Sequence, residues 1–364
     1  MTGPVPRLTV DPNWLTAQLG AGGHLDPGDA VATIALEALT FVGATSDMAR
    51  ARITYRATAS RGPSSLIVKI RGRDEVRRQI DATLQLFARE THVYRDVAAQ
   101  LPIRTPRAFA FGDGDATPLM LEDLGHMRTG DQTQELAVED AERCVDALAD
   151  LHAAFWDTAS LSDPRLMRPH SPPYTAMTAQ LMASGVARAR AQFAGDFPAA
   201  VLEALPEHPD DWSALLSQLE DGPLTLIQND CRADNLFFTS EGAPVFVDWQ
   251  LAAAARGSQD LANLLAGSLA PKDLSVRSHE LLMRYHARLR AGGVTTYSFD
   301  ELLHHYRQSV LWPLGQGLAL LGALSDGDSR GVGQRIVRRA LGHAVELDTF
   351  AAFSDMSPAQ KMPR

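Results

Sequence analysis

The amino-acid sequence predicts an α+β protein with two lobes. The smaller N-terminal lobe is expected to hold an antiparallel sheet with a helix, and the larger C-terminal lobe to be mostly helical. Segments with the two-residue alternation of β-strands are concentrated before residue 122, and segments with the 3.6-residue period of amphipathic helices dominate after residue 126. A chain of 364 residues is long for one hydrophobic core and sufficient for two. We therefore expect an N-terminal lobe at residues 1–121, a connector at 122–125 and a C-terminal lobe at 126–364.

The composition is that of an ordinary globular protein, with 45% hydrophobic and 21% charged residues. The formal net charge of −10 argues against a nucleic-acid partner held by bulk electrostatics. The two cysteines, Cys144 and Cys231, show no metal-ligand spacing. The first residues lack the pattern of a signal peptide, and no apolar run approaches the ~20 residues of a membrane span. We expect a cytoplasmic protein without a membrane partner, either monomeric or homodimeric.

The N-terminal lobe is expected to begin as a series of β-hairpins. A turn at Gly43–Asp47 follows an apolar segment, and strands are predicted at Arg50–Ala57 and Ser65–Ile70. The turn, which contains Ser46, has one glycine and two hydroxyl groups that would suit a loop lying over phosphates. On these residues alone, an ordinary hairpin turn is the better explanation.

Lys69 is a candidate site residue because it interrupts an apolar strand that is expected to be buried on both faces. A buried ammonium group costs several kcal/mol unless it is paired. A helix predicted at Ile80–Ala99 supplies a partner, since Glu90 lies on the same apolar stripe as Phe87 and Tyr94. The alternatives are a lysine that reaches solvent from an edge strand and a solvated glutamate.

The segment between the lobes is predicted to be a strand at 119–121 that runs into a short connector containing Glu122 and Leu124. On the residues alone, this segment is equally the plain end of a strand.

The segment 224–250 concentrates the polar residues with the most specific spacing. Its loop holds Asp230, Arg232, Asp234 and Asn235, and a strand-like Val245–Val247 ends in Asp248. Carboxylate and amide oxygens suit Mg²⁺, which binds a few protein ligands together with substrate phosphates. Asn235 follows Asp230 by five residues and Asp248 follows Asn235 by thirteen. This is the kinase arrangement of a catalytic-loop Asp, a metal-binding Asn and a second metal-binding Asp.

The C-terminal lobe is expected to open with a helix at Thr133–Trp156, in which His152 is a core histidine rather than a ligand. Helices broken near prolines are predicted at 174–219, and another helix begins at Gly257. Asp260 would either cap that helix or brace the catalytic loop. Two further helices are predicted at 298–324 and 331–353.

These motifs, in this order, resemble the protein-kinase-like phosphotransferases of small molecules. The closest resemblance is to the ecdysteroid-kinase-like branch, which is related to the aminoglycoside phosphotransferases and choline kinases. It spans roughly residues 35–350 and is carried by five stretches: Leu121-Glu122-Asp123-Leu124, Leu151-His152-Ala153 with Phe155-Trp156, Asn229-Asp230 with Asn235, Val247-Asp248-Trp249-Gln250, and Gly257 with Asp260-Leu261-Ala262.

The resemblance implies Mg²⁺-assisted transfer of the γ-phosphoryl group of ATP (or GTP) to a hydroxyl of a small molecule. It implies that Asp230 is the catalytic base and that Asn235 and Asp248 hold the metal. Lys69, oriented by Glu90, would contact the α/β-phosphates. The connector residues Glu122 and Leu124 would present backbone groups to the purine, and Ser46 would lie in the loop over the phosphates.

Two features depart from the family pattern. Gln228 stands where a histidine is usual, and the phosphate-covering loop has only Gly43 where more glycines are common. The role of Arg232 is unassigned: it would either neutralise charge during phosphoryl transfer or cap a helix. Two alternatives to an active kinase therefore stay open: a nucleotide-binding module without catalysis, and an α/β metal hydrolase that uses Asp230 and Asp248 directly.

Overall fold

The computed structural model describes residues 9–39, 45–170, 174–323 and 331–353. The chain falls into two compact units. The first comprises residues 1–100, 104–127 and 249–251, and the second comprises 101–103, 128–248 and 252–364. The lobe boundaries drawn from the sequence stay predictions.

The first unit is built on a five-stranded antiparallel sheet with the strand order β1-β2-β3-β5-β4. Helix α1 packs its buried Leu15 and Leu19 into the same core as the sheet. Every second residue of β2 and β3 is buried, including Ala51 and Ile53 on one strand and Val68 on the other. That alternation is the pattern from which β2 was predicted, whereas β3 was predicted from its run of apolar residues. The elements are α1 (Pro12–Ala21), β1 (Val31–Ala38), β2 (Ser46–Tyr55), β3 (Ser65–Arg71), α2 (Glu75–Leu84), α3 (Leu86–His92), β4 (Ala108–Ala110) and β5 (Leu119–Glu122).

The continuous helix predicted at Ile80–Ala99 is wrong. Helix α2 ends before Gln85, whose φ of +52° is left-handed. Helix α3 then begins, and it continues as a π-helical turn at Val93–Val97. The break is stabilised by Asp81, whose buried side chain accepts the backbone N–H of Phe87 at 2.8 Å. This bond replaces the helical bond that the same N–H would otherwise make.

The turn predicted at Gly43–Asp47 is also partly wrong. Gly43 lies outside the described residues, but Ser46 and Asp47 belong to β2. There they pair with Arg71 and Ile70 of β3, because the β2–β3 ladder extends further than the alternation in the sequence indicated.

The second unit is mostly helical and contains two small antiparallel sheets. In one sheet β7 pairs with β10, and in the other the order is β6-β8-β9. Helix α8 is buried along its whole length. The strands are β6 (Arg128–Thr129), β7 (Thr225–Ile227), β8 (Leu236–Phe238), β9 (Pro244–Phe246) and β10 (Ala253–Ala255). The helices are α4 (Val138–Phe155), α5 (Tyr174–Phe193), α6 (Ala199–Glu203), α7 (Pro209–Ser217), α8 (Gly257–Ser268), α9 (Pro271–Ala291), α10 (Phe299–Ser309), α11 (Leu311–Ala323) and α12 (Val332–Glu346).

Three predicted helices differ in their bounds. Helix α4 begins at Val138 rather than Thr133, because the Asp131 carboxylate accepts both the N–H and the hydroxyl of Thr133 and forms a turn there. The helix predicted at 298–324 is two helices, and Pro313 lacks the N–H that would bond to the carbonyl of Ser309 in a continuous one. The helix predicted at 331–353 ends at Glu346.

Helix α9 was not predicted, although its buried Leu274, Leu281 and Leu289 follow a helical period. Among the described residues, none of the helices is both long enough and apolar enough to span a lipid bilayer.

Candidate active site

In the first unit, Lys69 and Glu90 form a buried ion pair. The Lys69 Nζ lies 2.6 Å from the Glu90 Oε2, and the two side chains are 4% and 1% exposed. Lys69 pairs with Met48 on one side and Leu119 on the other, so β3 is a central strand and the alternative of an edge lysine is wrong. The predicted ion pair is confirmed. The close contact offsets the cost of desolvating the two charges.

The other candidates of the first unit lie on the sheet. Ser46 is the buried first residue of β2. Glu122 ends β5, and its carboxylate pairs with Arg104 at 2.8 Å and accepts the Arg107 N–H at 3.1 Å. Leu124 is buried, with 4% exposed. The Glu122 carboxylate is therefore engaged by Arg104 and by the backbone of Arg107.

Asp123, between Glu122 and Leu124, was missed as an anchor of the connector. Its carboxylate accepts from the Arg50 Nε at 2.7 Å, from the Gly125 N–H at 3.0 Å and from the Ser65 hydroxyl. Arg50 lies on β2 and Ser65 on β3, so the connector is tied to the sheet by hydrogen bonds to a single carboxylate.

In the second unit, the loop after β7 brings Asp230 and Asn235 into direct contact. The Asn235 Nδ2 donates to both the carbonyl and the carboxylate of Asp230, at 2.9 and 2.8 Å. This orientation leaves the Asn235 Oδ1 accepting no hydrogen bond from the described residues. Arg232 lies on the other side of the carboxylate, with its Nε 3.2 Å from the Asp230 Oδ1.

Gln228 holds this loop to the segment that carries Asp248. Its Nε2 donates to the carbonyls of Val247 and Asp248, at 2.9 and 2.8 Å, and its Oε1 accepts the Asp230 N–H at 2.7 Å. Gln228 is fully buried. A glutamine therefore connects the backbones of the two acidic candidates, at the position where the resemblance led us to expect a histidine.

Two residues of the loop region have left-handed backbone conformations. The φ angles of Asn229 and Asp248 are +70° and +60°. A non-glycine residue in this region costs of order 1 kcal/mol or more and persists where the surroundings hold it. The hydrogen bonds of Gln228 hold Asp248, and those of Asp260 hold Asn229.

Asp260 braces the loop that carries Asp230 by accepting two of its backbone N–H groups. Its carboxylate accepts the N–H groups of Asn229 at 2.7 Å and of Gln228 at 2.8 Å. Of the two roles predicted for Asp260, bracing the loop is confirmed. The fully buried His152 lies 3.4 Å from the same carboxylate and bonds to the Tyr285 hydroxyl at 2.9 Å, so it is a core histidine as predicted. A side chain at Gly257 would collide with both rings, since its Cβ would lie 2.7 Å from the His152 Nδ1.

A second clamp on the loop was missed from the sequence. Gln132 is fully buried. It accepts the Ala233 N–H on its Oε1 at 3.1 Å and donates its own N–H to the Asp234 Oδ1 at 2.8 Å. Arg339 of α12 donates in turn to the Gln132 carbonyl. The sequence carried no signal for this clamp, because isolated Gln and Arg residues have no motif.

Burial raises the pKa of Asp230 to about 6. The nearby carboxylates of Asp248 and Asp234 also raise it, whereas Arg232 and the hydrogen bond from Asn235 lower it. A carboxylate with such a pKa is mostly ionised at neutral pH and basic enough to accept a proton. The neighbouring Cys231 is buried, and burial raises the pKa of its thiol well above the ordinary value, which makes it a packing residue rather than a nucleophile.

The oxygen donors of the loop fit a Mg²⁺ ion that is held partly by substrate phosphates and water. They do not form a site in which protein side chains supply every ligand. No cluster of three or more His, Cys, Asp or Glu ligands occurs in the parts of the chain that the structure describes. Mg²⁺ binds through one or two carboxylates with phosphates and water completing its shell. The Asn235 Oδ1 and the Asp248 carboxylate are donors of this type.

Known structures share this fold. A choline kinase from Cryptosporidium parvum Iowa II aligns with a TM-score of 0.51 at 12% identity, covering 90% of this chain and 89% of its own. A putative aminoglycoside phosphotransferase from Ralstonia eutropha JMP134 aligns with a TM-score of 0.51 at 12% identity, covering 91% and 97%. The protein therefore has the two-lobed, α+β protein-kinase-like fold that the sequence predicted, which is not that of an α/β hydrolase.

The family model of the ecdysteroid kinase-like family matches residues 43–292, more than half of the chain. The chain belongs to this family, and is thus an enzyme of the small-molecule kinase class. No curated protein matches the sequence.

Proposed function

We propose that this enzyme transfers the γ-phosphoryl group of ATP (or GTP) to a hydroxyl group of a small molecule, with Asp230 as the catalytic base. The observation that carries the proposal is the Asp230 carboxylate, which is held by the Asn235 amide and flanked by Arg232. Phosphoryl transfer asks a protein mainly for positioning and charge neutralisation. A single oriented carboxylate beside a pair of metal donors meets those needs.

Asp230 would orient the acceptor hydroxyl and take its proton as the new oxygen–phosphorus bond forms. Its Oδ2 already accepts from Asn235 and its backbone N–H is bonded to Gln228, so little conformational freedom remains to be lost at the moment of reaction. With a pKa raised to about 6 by burial, the carboxylate is matched to proton transfer near neutral pH.

The remaining candidates would bind the nucleotide and its metal. Mg²⁺, when bound, would neutralise charge on the phosphate oxygens, and Asn235 and Asp248 would hold it. Lys69, oriented by Glu90, would donate to the α/β-phosphates. Backbone groups of Glu122 and Leu124 would recognise the purine. A contact of Ser46 with the phosphates stays part of the proposal, made from the first residue of β2 rather than from a loop.

The acceptor that we propose is a hydroxylated small molecule. The names of the two similar structures, a choline kinase and a putative aminoglycoside phosphotransferase, favour this acceptor class without selecting a compound. A cytoplasmic enzyme, either monomeric or homodimeric, completes the proposal.

The alternative of a nucleotide-binding module without catalysis rested on Gln228 and on the loop at Gly43. Gln228 does not favour it, because its side chain makes three hydrogen bonds that link Asp230 to the Asp248 segment. Gly43 lies outside the described residues.

The test is the Asp230→Asn variant, measured for nucleotide-dependent phosphorylation over a panel of hydroxylated metabolites. We expect kcat to fall at least ~100-fold, because the amide accepts no proton, while MgATP still raises the Tm. Asp300→Asn, an exposed carboxylate at the start of α10, is the matched control. Unchanged turnover in Asp230→Asn would overturn the assigned base, and the absence of any product with the wild type would favour the non-catalytic module.

A further inference from the structure

Arg232 differs from the fully buried arginines in the number of its partners. Arg256 donates to the Asp221 carbonyl, the Gln308 side chain and the Gln218 carbonyl. Arg339 donates to three backbone carbonyls, and Arg89 to those of Leu84 and Gln250. These arginines are held by oxygens of the protein itself, as a buried guanidinium requires.

The guanidinium of Arg232 makes a single ion-pair contact with the described residues, and its Nε has no hydrogen-bond partner of good geometry among them. Its Nε lies 3.2 Å from the Asp230 Oδ1. A guanidinium carries five N–H donors. Those on the two terminal nitrogens of Arg232 have no acceptor among the residues that the structure describes. The side chain is 21% exposed, compared with 11% for Asp230. Arg232 is therefore mostly withdrawn from water, yet a ligand that reaches Asp230 would find donors beside it.

The alternative role predicted for Arg232, capping a helix, is wrong. Arg232 precedes the short 3-10 helix at Ala233–Asn235, but its side chain makes no capping bond in the described structure. A guanidinium has no acceptor atom with which to cap an N-terminal N–H.

The surroundings of Arg232 are strongly acidic. The carboxylate of Asp230, followed by those of Asp234 and Asp248, raises the pKa of Arg232 above its ordinary value. The guanidinium is thus a permanent cation among three carboxylates. A phosphoryl group that approached these carboxylates would be repelled unless cations accompanied it, and Arg232 is a cation that the loop itself supplies.

We propose that Arg232 donates hydrogen bonds directly to the phosphoryl group in transit, and is a further catalytic residue. This inference rests on the proposed function and deepens it. During transfer the bond between the γ-phosphorus and the bridging oxygen of the nucleotide breaks, and the acceptor oxygen forms the new bond. The acceptor proton passes to Asp230 and the nucleoside diphosphate leaves. Charge spreads over the equatorial phosphoryl oxygens, where the planar fork of an arginine donates well.

The competing explanation is that Arg232 only positions Asp230. A double-mutant cycle separates the two, read by calorimetric binding rather than by turnover. The probes are MgADP and MgADP with aluminium fluoride, which mimics the phosphoryl group in transit. The variants are Arg232→Met and Arg232→Lys, each in the wild-type and the Asp230→Asn backgrounds. Arg338→Met, which removes an exposed arginine paired with Asp196, is the control.

We expect Arg232→Met to weaken binding of the aluminium fluoride complex at least ~10-fold while changing MgADP affinity less than ~3-fold. The same loss should persist in the Asp230→Asn background. Arg232→Lys should show an intermediate loss, because lysine keeps the charge without the fork. Arg232→Lys also keeps the test valid if Arg232→Met fails to fold, as circular dichroism would reveal.

Three results would overturn the inference. A loss that disappears in the Asp230→Asn background would mean that Arg232 acts through Asp230. Unchanged aluminium fluoride affinity in both variants would mean that it does not touch the phosphoryl group, while the proposed function stands. Failure of the wild type to bind MgADP, or to gain affinity with aluminium fluoride, would instead remove the proposed function and the inference with it.

Discussion

Gln228 is the residue whose replacement tests the organisation of the site most directly. Its side chain makes three hydrogen bonds, two to the carbonyls of Val247 and Asp248 and one from the Asp230 N–H. We consider Gln228→Leu, which introduces an apolar side chain of related size and removes all three bonds. Gln228→His, which introduces the residue usual in the family, is the comparison.

The expected loss of stability follows from these bonds. A buried hydrogen bond contributes about 1 kcal/mol net to the free energy of unfolding, and a buried partner left without a hydrogen bond lowers that free energy by more. Three lost bonds therefore predict a fall of about 3 kcal/mol in the free energy of unfolding for Gln228→Leu. Part of this is offset, because Asp248 at a φ of +60° would relax and release backbone strain of order 1 kcal/mol. A histidine ring has one donor and one acceptor when neutral, so Gln228→His should lose about 1 kcal/mol.

The function should suffer more than the stability, because relaxation of Asp248 displaces a proposed metal donor. We expect the Mg²⁺ concentration at half-maximal activity to rise about 10-fold or more in Gln228→Leu. Urea unfolding measures the first effect, and Mg²⁺ titration of turnover measures the second. If Gln228→Leu unfolds within 0.5 kcal/mol of the wild type and has an unchanged Mg²⁺ requirement, the reasoning is refuted.

Three further predictions concern buried polar groups. Glu90→Gln should lower the free energy of unfolding by about 3 kcal/mol, because it leaves the Lys69 ammonium buried without a counter-charge. Lys69→Met combined with Glu90→Gln should recover most of that loss in urea unfolding but not MgATP binding, and a double variant as unstable as Glu90→Gln would contradict this. Asp260→Asn should cost about 2 kcal/mol, since an amide offers one acceptor atom to two backbone N–H donors, and an unchanged urea midpoint would exclude the brace. Burial lowers the pKa of His170 to about 4, the charge of Arg256 lowers it further, and the hydrogen bond to Gln259 opposes the shift. As the pH falls below about 6.5, the unfolded chain therefore binds a proton at this histidine that the folded chain does not bind. Stability is therefore lost between about pH 6.5 and pH 4, and His170→Gln should remove about 2 kcal/mol of the loss between pH 7 and pH 5; equal losses in the two proteins would show that His170 does not titrate in this way.

Strand β2 could be predicted because its alternation reflects burial on one face, and β3 because its run of apolar residues is interrupted only by Lys69. Lys69 could be predicted to need a partner for a similar reason, since a charge within an apolar strand is costly. The helix at 80–99 could not be predicted correctly. Its break at Gln85 depends on the buried carboxylate of Asp81, which bonds to Phe87. Nothing local in the sequence distinguishes that carboxylate from a solvated one.

The same limit applies to the loop that carries Asp230. The spacing of Asp230, Asn235 and Asp248 along the chain predicted the chemistry, but not which groups hold the loop in place. Whether Asp260 caps its own helix or braces the loop was open on the sequence and was decided by its bonds to the N–H groups of Gln228 and Asn229.

By itself, the sequence determined the α+β class and the order of the polar motifs, and it predicted the pairing of Lys69 with Glu90 that the structure confirmed. It could do so because strand alternation, helical period and motif spacing are local properties of the chain. Only the tertiary structure decided how the catalytic loop is clamped. The Ala233 N–H bonds to Gln132, which is 101 residues earlier in the chain. Gln132 in turn bonds to Arg339, which is 207 residues later than Gln132. Contacts of such separation depend on how distant helices pack, and no local pattern records them.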